Sequence, residues 1–173
     1  MVERLCSLQA ALIMLLLPAV LSAAQTQEED WDRQAKAILN DAGVEGGLIV
    51  HVNCGDGRLA VALKTSDSMI VQGLDADAAD VARARSCLQA AGYGEAVTVD
   101  TFDGEHLPYT DDLVNLLVVS SPSAVSEKEM LRVLSPGGVA YILNGDKHRK
   151  LEKPWPDNID EWTHYLHGPG NNA

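Results

Sequence analysis

A glycine loop and a carboxylate lie about 20 residues apart in this chain, a spacing suited to nucleoside binding. The loop, Val52–Leu59, follows an apolar run and contains Gly55 and Gly57. Glycines allow the backbone to turn sharply and to approach a ligand closely, and the helix that follows presents free N–H groups. Asp75 ends the next apolar segment, where a carboxylate can accept hydrogen bonds from both ribose hydroxyls. Loop and acid together predict a site for an adenosine-containing ligand.

Two classes of ligand fit this loop. Gly55, Gly57 and Ala60 satisfy the dinucleotide fingerprint, which would make the chain a dehydrogenase. The later segments favour the second class, because four motifs in order resemble those of class I S-adenosylmethionine (SAM)-dependent methyltransferases. They are the first motif at His51–Leu59, the second-strand motif at Gly73–Asp75 with Ala82–Arg85, the segment after the third strand at Asp103–Tyr109, and the helix-to-fifth-strand signature at Leu131–Gly138. The resemblance covers about residues 48–143 and is greatest to the small-molecule methyltransferases.

This resemblance implies SAM as the cofactor and methyl transfer to an unknown small-molecule acceptor. By position, the two loop glycines would line the methionine part of SAM, Asp75 would hold the ribose, and Asp103 with Gly104 would face the adenine. The residues that the resemblance implies for cofactor binding are His51, Asn53, Gly55, Asp56, Gly57, Asp75, Ala76, Asp103 and Gly104. No catalytic residue and no metal ligand is predicted. Structural roles stay open for the same residues: a plain turn for the glycines, a helix N-cap for Asp75 and a turn carboxylate for Asp103.

Three positions depart from the family pattern. Family members usually carry an acid at the position of His51, where it helps to bind the SAM amino group, and a glycine at the position of Asn53. Asn115 occupies the place where the family often has the acid of its fourth strand. These departures leave a second hypothesis open, a catalytically degenerate, exported Rossmann module that serves as a binding or docking domain.

Apolar runs and helical patterns alternate along the chain between Leu48 and Leu143. Strands are predicted near residues 48–52, 69–75, 97–99, 113–119 and 139–143, and helices near residues 30–41, 58–64, 76–91 and 126–134. This alternation predicts a Rossmann-like α/β fold, a doubly wound, mainly parallel sheet with helices on both faces. Because Pro136–Gly138 ends the last helix and no apolar run follows residue 143, the sheet is expected to lack its last two strands.

The first residues predict export. Ala10–Leu21 is an uncharged apolar run, too short to span a bilayer, and the small residues Ser22–Ala24 follow it, as in a secretory signal peptide. We therefore divide the chain into a signal peptide (1–24), an N-terminal helix and linker (25–46), a SAM methyltransferase-like domain (47–145) and an irregular C-terminal tail or linker (146–173). The expected location is periplasmic or extracellular.

Charge and the tail set the expected partners. A net charge of −12 repels phosphate backbones and anionic lipid, which disfavours nucleic acid and, after signal cleavage, membranes. Trp155, Trp162 and Tyr165 suggest an aromatic docking segment. The run Trp155–His164 resembles the joint to a quinoprotein-like β-propeller in some secreted bacterial proteins, which would make the chain part of a longer protein. The tail histidines lack the accompanying ligands of a metal site, and no disulfide is expected between Cys54 and Cys87.

Overall fold

The computed structural model describes residues 29–94, 96–120, 123–145 and 147–156. Its helices are α1 (29–42), α2 (Arg58–Leu63), α3 (Ala78–Ala90) and α4 (Glu127–Val133). Its strands are β1 (Gly47–Val52), β2 (Met69–Asp75), β3 (Val97–Thr101), β4 (Val114–Ser120), β5 (Leu134–Asn144) and β6 (Lys147–Glu152). The predicted signal peptide and the residues after Pro156 lie outside the described ranges. Within those ranges, every helix is too short or too polar to cross a bilayer.

One six-stranded sheet organises these elements in the order β3-β2-β1-β4-β5-β6. The first five strands are parallel, and β6 runs antiparallel to β5. From β1 the chain adds β2 and β3 on one side of the sheet. It then returns to β1 and adds β4, β5 and β6 on the other side. Because the strand order reverses beside β1, the loops after β1 and β4 diverge and open a crevice at the carboxyl edge of the sheet. The predicted Rossmann-like, doubly wound architecture is confirmed.

Two apolar layers cover the sheet, one on each face, as alternation along buried strands requires. On one face, α1, α2 and α3 pack through Ile38, Leu63 and Leu88 against strand residues such as Ile49. On the other face, α4 packs against Val50 and its neighbours on β4 and β5. The predicted N-terminal helix is therefore an integral layer of the domain. Side-chain caps begin two of these helices: Asp77 accepts from Ala79 N at the start of α3, and Ser126 accepts from Glu129 N at the start of α4.

The expectation that no strand follows residue 145 is wrong for Lys147–Glu152, which forms β6. Its register runs from Asn144 opposite Lys147 to Val139 opposite Glu152. The fifth strand begins earlier than the predicted residue 139, since β5 starts at Leu134 and includes Pro136–Gly138 as an irregular segment. Gly137 and Gly138 hydrogen bond to Lys153, so the chain beyond β6 stays paired with the sheet at its amino edge.

Asn115 has a structural role and lies far from the carboxyl edge. Its Oδ1 accepts a hydrogen bond from Leu48 N at 2.9 Å, and its amide group reaches Ser135 Oγ at 3.4 Å. The side chain therefore joins the amino ends of β1, β4 and β5. Gly47 has φ +95°, and a Cβ added there would overlap the Asn115 carboxamide, with its Cγ only 2.6 Å away. The comparison of Asn115 with a family site acid is therefore wrong.

Gly47 and Gly43 form a matched pair for testing this packing. Both have positive φ, but a Cβ at position 43 meets nothing within 4 Å. We expect Gly43→Ala to cost about 1–2 kcal/mol for left-handed backbone strain. Gly47→Ala should cost about 1–3 kcal/mol more, because a tightly packed carboxamide must also move. Urea unfolding of the two variants measures the difference. Equal losses of stability would contradict this account of Gly47.

Candidate functional site

A cleft of about 400 Å³ opens at the carboxyl ends of β1 and β4, and we call it the strand-end cleft. Its floor is the glycine loop after β1, and its walls come from α1, the end of β4 and the turn after β5. The lining residues are Trp31, Gln34, His51, Asn53, Cys54, Gly55, Asp56, Leu59, Ser120, Leu143 and Gly145. Four of the predicted cofactor residues, His51, Asn53, Gly55 and Asp56, meet in this cleft.

The glycine loop owes its shape to three residues with positive φ. Asn53, Gly55 and Gly57 have φ of 56°, 55° and 79°. Gly57 caps α2 without a side-chain hydrogen bond, and a Cβ there would lie 3.3 Å from that of Ala84 on α3. A glycine at this position thus lets α2 and α3 approach each other, while Gly55 faces open space. Gly57 itself lies outside the strand-end cleft and lines a separate groove between the helices.

Asp75 connects the glycine loop to the end of β2. Its Oδ2 accepts from Gly55 N at 3.0 Å, and its Oδ1 accepts from Asp77 N at 3.1 Å. The side chain is 8% exposed, so these backbone donors compensate a nearly buried carboxylate. The structure assigns the N-cap of α3 to Asp77, so the N-cap alternative for Asp75 is wrong. Each Asp75 oxygen keeps a lone pair beyond its backbone partner, since a carboxylate has about four acceptor positions.

Asp103 and Gly104 form an exposed turn after β3. Asp103 Oδ1 accepts from Glu105 N and His106 N, and its Oδ2 lies 2.9 Å from His106 Nδ1. These hydrogen bonds lower the pKa of Asp103 to about 2, and the carboxylate raises the pKa of His106. Gly104 has φ +89°, and a Cβ added there would lie 3.5 Å from that of Ala76. The structure thus brings Gly104 beside Ala76, with Asp103 shaping the turn.

Arg132 of α4 fixes the segment that follows this turn. Its guanidinium donates to the backbone oxygens of Leu107 and Tyr109 at 3.1 and 2.8 Å. It also pairs with Glu129 at 2.7 Å and with Asp111 at 2.8 Å. Glu129 in turn accepts from Leu107 N at 2.8 Å, and the guanidinium lowers the pKa of this carboxyl group. This network holds the loop between β3 and β4 against α4, and with it the turn at Gly104.

His51 and Asn53 both bond to Ser120, the last residue of β4. His51 Nε2 lies 2.9 Å from Ser120 Oγ, and Asn53 Nδ2 donates to Ser120 O at 3.0 Å. His51 is 3% exposed, and burial lowers its pKa to about 4 despite the nearby carboxylates of Asp75 and Asp56. Its Nδ1 has no hydrogen-bond partner among the described residues. A neutral imidazole therefore stands where the family pattern has an acid.

The two cysteines of the described chain are free thiols. Cys54 lies in the glycine loop, and a Cβ added at Gly73 would lie 2.9 Å from its Sγ. Burial raises the pKa of Cys54 to about 12, so it remains a thiol at neutral pH. Its role in the cleft is packing against β2, because the reactive form of cysteine is the thiolate.

Seven lining residues were not predicted as site residues; Cys54 and Leu59 belong to the glycine loop, and the other five lie outside it. Trp31 and Gln34 reach the cleft from α1, and Leu143 and Gly145 from the turn after β5. Ser120 alone carried a local signal, since it is a polar residue that ends an apolar strand beside the reversal of strand order. Of the tail histidines, His148 stacks on Tyr141 with ring centroids 4.8 Å apart, and His164 and His167 lie outside the described residues. Searching the described ranges finds no group of three metal-binding side chains.

Comparison with known proteins gives a family and several relatives. A family model described as a methyltransferase domain matches residues 49–138, just over half of the chain. The ubiquinone/menaquinone biosynthesis C-methyltransferase UbiE of Geobacter sulfurreducens is 33% identical over 123 residues, which cover 65% of this chain and 46% of that protein. The chain spans about half the length of the curated relatives that it matches.

Solved structures share the fold. A candidate S-adenosyl-L-methionine-dependent methyltransferase from Methanococcus maripaludis gives a TM-score of 0.59 at 22% identity, covering 69% of this chain and 61% of that one. Geranyl diphosphate C-methyltransferase from Streptomyces coelicolor, solved with geranyl diphosphate and S-adenosyl-L-homocysteine, gives 0.56 at 18% identity, covering 64% of this chain and 44% of that one. At these identities the likeness establishes the architecture.

The lowered pKa of His51 predicts a pH-dependent stability with a definite sign. The unfolded chain binds a proton on this residue near pH 6.5, whereas the folded chain resists it until about pH 4. The stabilisation is complete above pH 6.5 and is lost as the pH falls toward 4. Wild type should lose about 2 kcal/mol more unfolding free energy between pH 7 and pH 5 than His51→Gln does.

Chemical denaturation at the two pH values measures this difference, with His106→Gln as the matched control. Because the pKa of His106 is raised, its contribution is present at low pH and lost as the pH rises through that pKa, so its removal should shift the pH dependence the other way. Identical pH dependence in wild type and His51→Gln would show that His51 is not held neutral by burial.

Proposed function

Because this chain belongs to the methyltransferase domain family, we propose that it binds SAM at the strand-end cleft and transfers its methyl group to a small-molecule acceptor. One observation carries the proposal above all others. Asp75, at the end of β2, accepts a hydrogen bond from Gly55 N in the loop after β1. The acid and the glycine loop are therefore adjacent. This suits SAM, because the ribose that Asp75 would bind carries, on its 5′ carbon, the methionine part that the loop would bind.

The residues present fit this cofactor. Asp75 retains acceptor positions for the ribose hydroxyls, and we assign the adenine to the neighbourhood of Gly104, which lies beside Ala76 just after β2. Gly55 has open space above it, so the backbone can approach the methionine part of the cofactor. The acidic side chains Asp56 and Asp75 give this end of the sheet a negative charge, which suits a cationic sulfonium. When bound, SAM supplies an electrophilic methyl group.

Catalysis of such a transfer depends on how the acceptor is positioned relative to the methyl group. A displacement at a methyl carbon gains chiefly from holding the acceptor in line with the breaking bond, and orientation alone can supply several kcal/mol. We assign the acceptor to the part of the cleft lined by Leu143 and Gly145, at the end of β5 and in the turn after it. A small organic acceptor agrees with the names of the relatives, which include a quinone-biosynthesis C-methyltransferase and a geranyl diphosphate C-methyltransferase.

A second function from another class follows from His51 and Asn53. A domain that has lost the acid and the first loop glycine of its family would serve as a docking module without SAM, with the aromatic tail after β6 as its contact. Exposed Trp155, which lies against Gly137 at the amino edge of the sheet, favours this role for the tail. The two functions differ in one measurable property, the binding of SAM.

Calorimetric titration of the chain from Gln25 onward with SAM and S-adenosylhomocysteine tests the proposal. We expect saturable binding of both ligands, and weakening by about tenfold or more in Asp75→Asn, because the ribose loses a charged acceptor. Asp67→Asn is the matched control, since Asp67 is exposed in the turn before β2, away from the cleft. Absence of heat and of thermal stabilisation at millimolar ligand would leave the docking function instead.

We also propose that the chain is exported, with residues 1–24 as the signal peptide. The support is the order of an apolar run, small residues and a polar segment at the N-terminus. A reporter that folds only outside the cytoplasm, fused after Gln27, should become active, and replacing two leucines of the run by arginines should abolish its activity. A fusion that is produced in full but whose reporter stays inactive would contradict export.

A further inference from the structure

We propose that His51 and Ser120 form a donor pair that binds the carboxylate of the cofactor's amino-acid end and thereby determines which adenosyl compounds the cleft accepts. The inference rests on the proposed function, because it concerns the same cleft. It reverses the polarity expected from the family pattern, in which an acid at position 51 helps to bind the amino group. Ser120 acts on the ligand directly, and His51 is a positioning residue that acts through it.

The first step is the tautomer of His51. Its Nε2 lies 2.9 Å from Ser120 Oγ, while its Nδ1 is buried without a partner among the described residues. A buried N–H without an acceptor is costlier and rarer in proteins than an under-used acceptor. The ring therefore carries its proton on Nε2 and leaves Nδ1 unprotonated. With this tautomer, Nε2–H donates to Ser120 Oγ.

The second step follows from the hydroxyl group. A serine hydroxyl has one hydrogen to donate, and an oxygen that accepts from His51 must direct its own hydrogen elsewhere. Within the described chain, the Ser120 hydroxyl has His51 as its one hydrogen-bond partner. Asn53 holds the backbone of Ser120 in place through its carbonyl oxygen. The O–H of this half-buried residue is thus available to a ligand in the strand-end cleft.

The third step concerns which ligand group would take this hydrogen. An ammonium group offers only donors, whereas a carboxylate only accepts. The carboxylates that belong to other elements than β4, Asp56 and Asp75, lie in the glycine loop and at the end of β2. A zwitterionic amino acid would therefore direct its ammonium toward Asp56 and its carboxylate toward Ser120. The pair distinguishes ligands with this carboxylate from those without it.

Two ligands that differ in this one group test the proposal. SAM and decarboxylated SAM share adenosine, sulfonium and amine, and only SAM has the carboxylate. Calorimetry should show that Ser120→Ala weakens SAM binding about tenfold or more, since hydrogen bonds to charged groups are worth that much, and leaves decarboxylated SAM within about twofold. Ser86→Ala is the matched control, because Ser86 bonds to the backbone of α3 at an exposed position remote from the cleft.

The outcomes separate this inference from the proposed function. A wild-type chain that binds neither compound overturns both. A wild-type chain that binds SAM, with a Ser120→Ala variant that weakens both compounds equally or neither of them, overturns the donor pair alone. Nitrogen-detected NMR of the imidazole at neutral pH gives a readout independent of ligand. We expect the proton on Nε2 of His51, and a proton on Nδ1 would overturn the assignment.

Discussion

A nearly buried carboxylate has to be surrounded by hydrogen-bond donors, and Asp75 meets this requirement with backbone N–H groups from two loops. One donor is Gly55 N, after β1, and the other is Asp77 N, before α3. Only neighbouring parallel strands can bring these loops to the same point, so the contact requires β1 and β2 to pair in register, as Val52 and Leu74 do. It also holds Gly55 in its left-handed conformation at the floor of the cleft. The architecture of the site thus depends on satisfying one charge.

Most of the fold follows from patterns that are local in the sequence. β1 and β4 are runs of buried aliphatic residues, and α3 is rich in alanine and begins at the capping residue Asp77. β6 had no such signal, since four of its six residues are basic and all but Leu151 are exposed. Its stability comes from partners far away in sequence, including Glu127 for Arg149 and Asp41 for Lys150. Edge strands often carry charge, which protects them from pairing with other chains.

The candidate site was predictable where backbone geometry demands particular residue types. The glycines with positive φ and the acid at the end of β2 could be recognised in the sequence, and they predict where a nucleoside would bind. The remaining walls depend on long-range packing, so Trp31 and Gln34 of α1 could be placed only by the tertiary structure. Asn115 shows the opposite case. By its position in the sequence it matches a family acid, but its side chain accepts a hydrogen bond from Leu48 N, 67 residues earlier in the chain, and so has a structural role. Spacing along a strand does not reveal which edge of the sheet a side chain serves.

Asn53 and His51, the two loop positions that depart from the methyltransferase pattern, are joined through one residue. His51 bonds to the side chain of Ser120, and Asn53 bonds to its backbone oxygen. Asn53 has φ 56°, and asparagine tolerates this region better than other residues with a Cβ, so the loop keeps its shape without glycine. The two side chains therefore connect β1 and the loop after it to the end of β4 across the strand-end cleft.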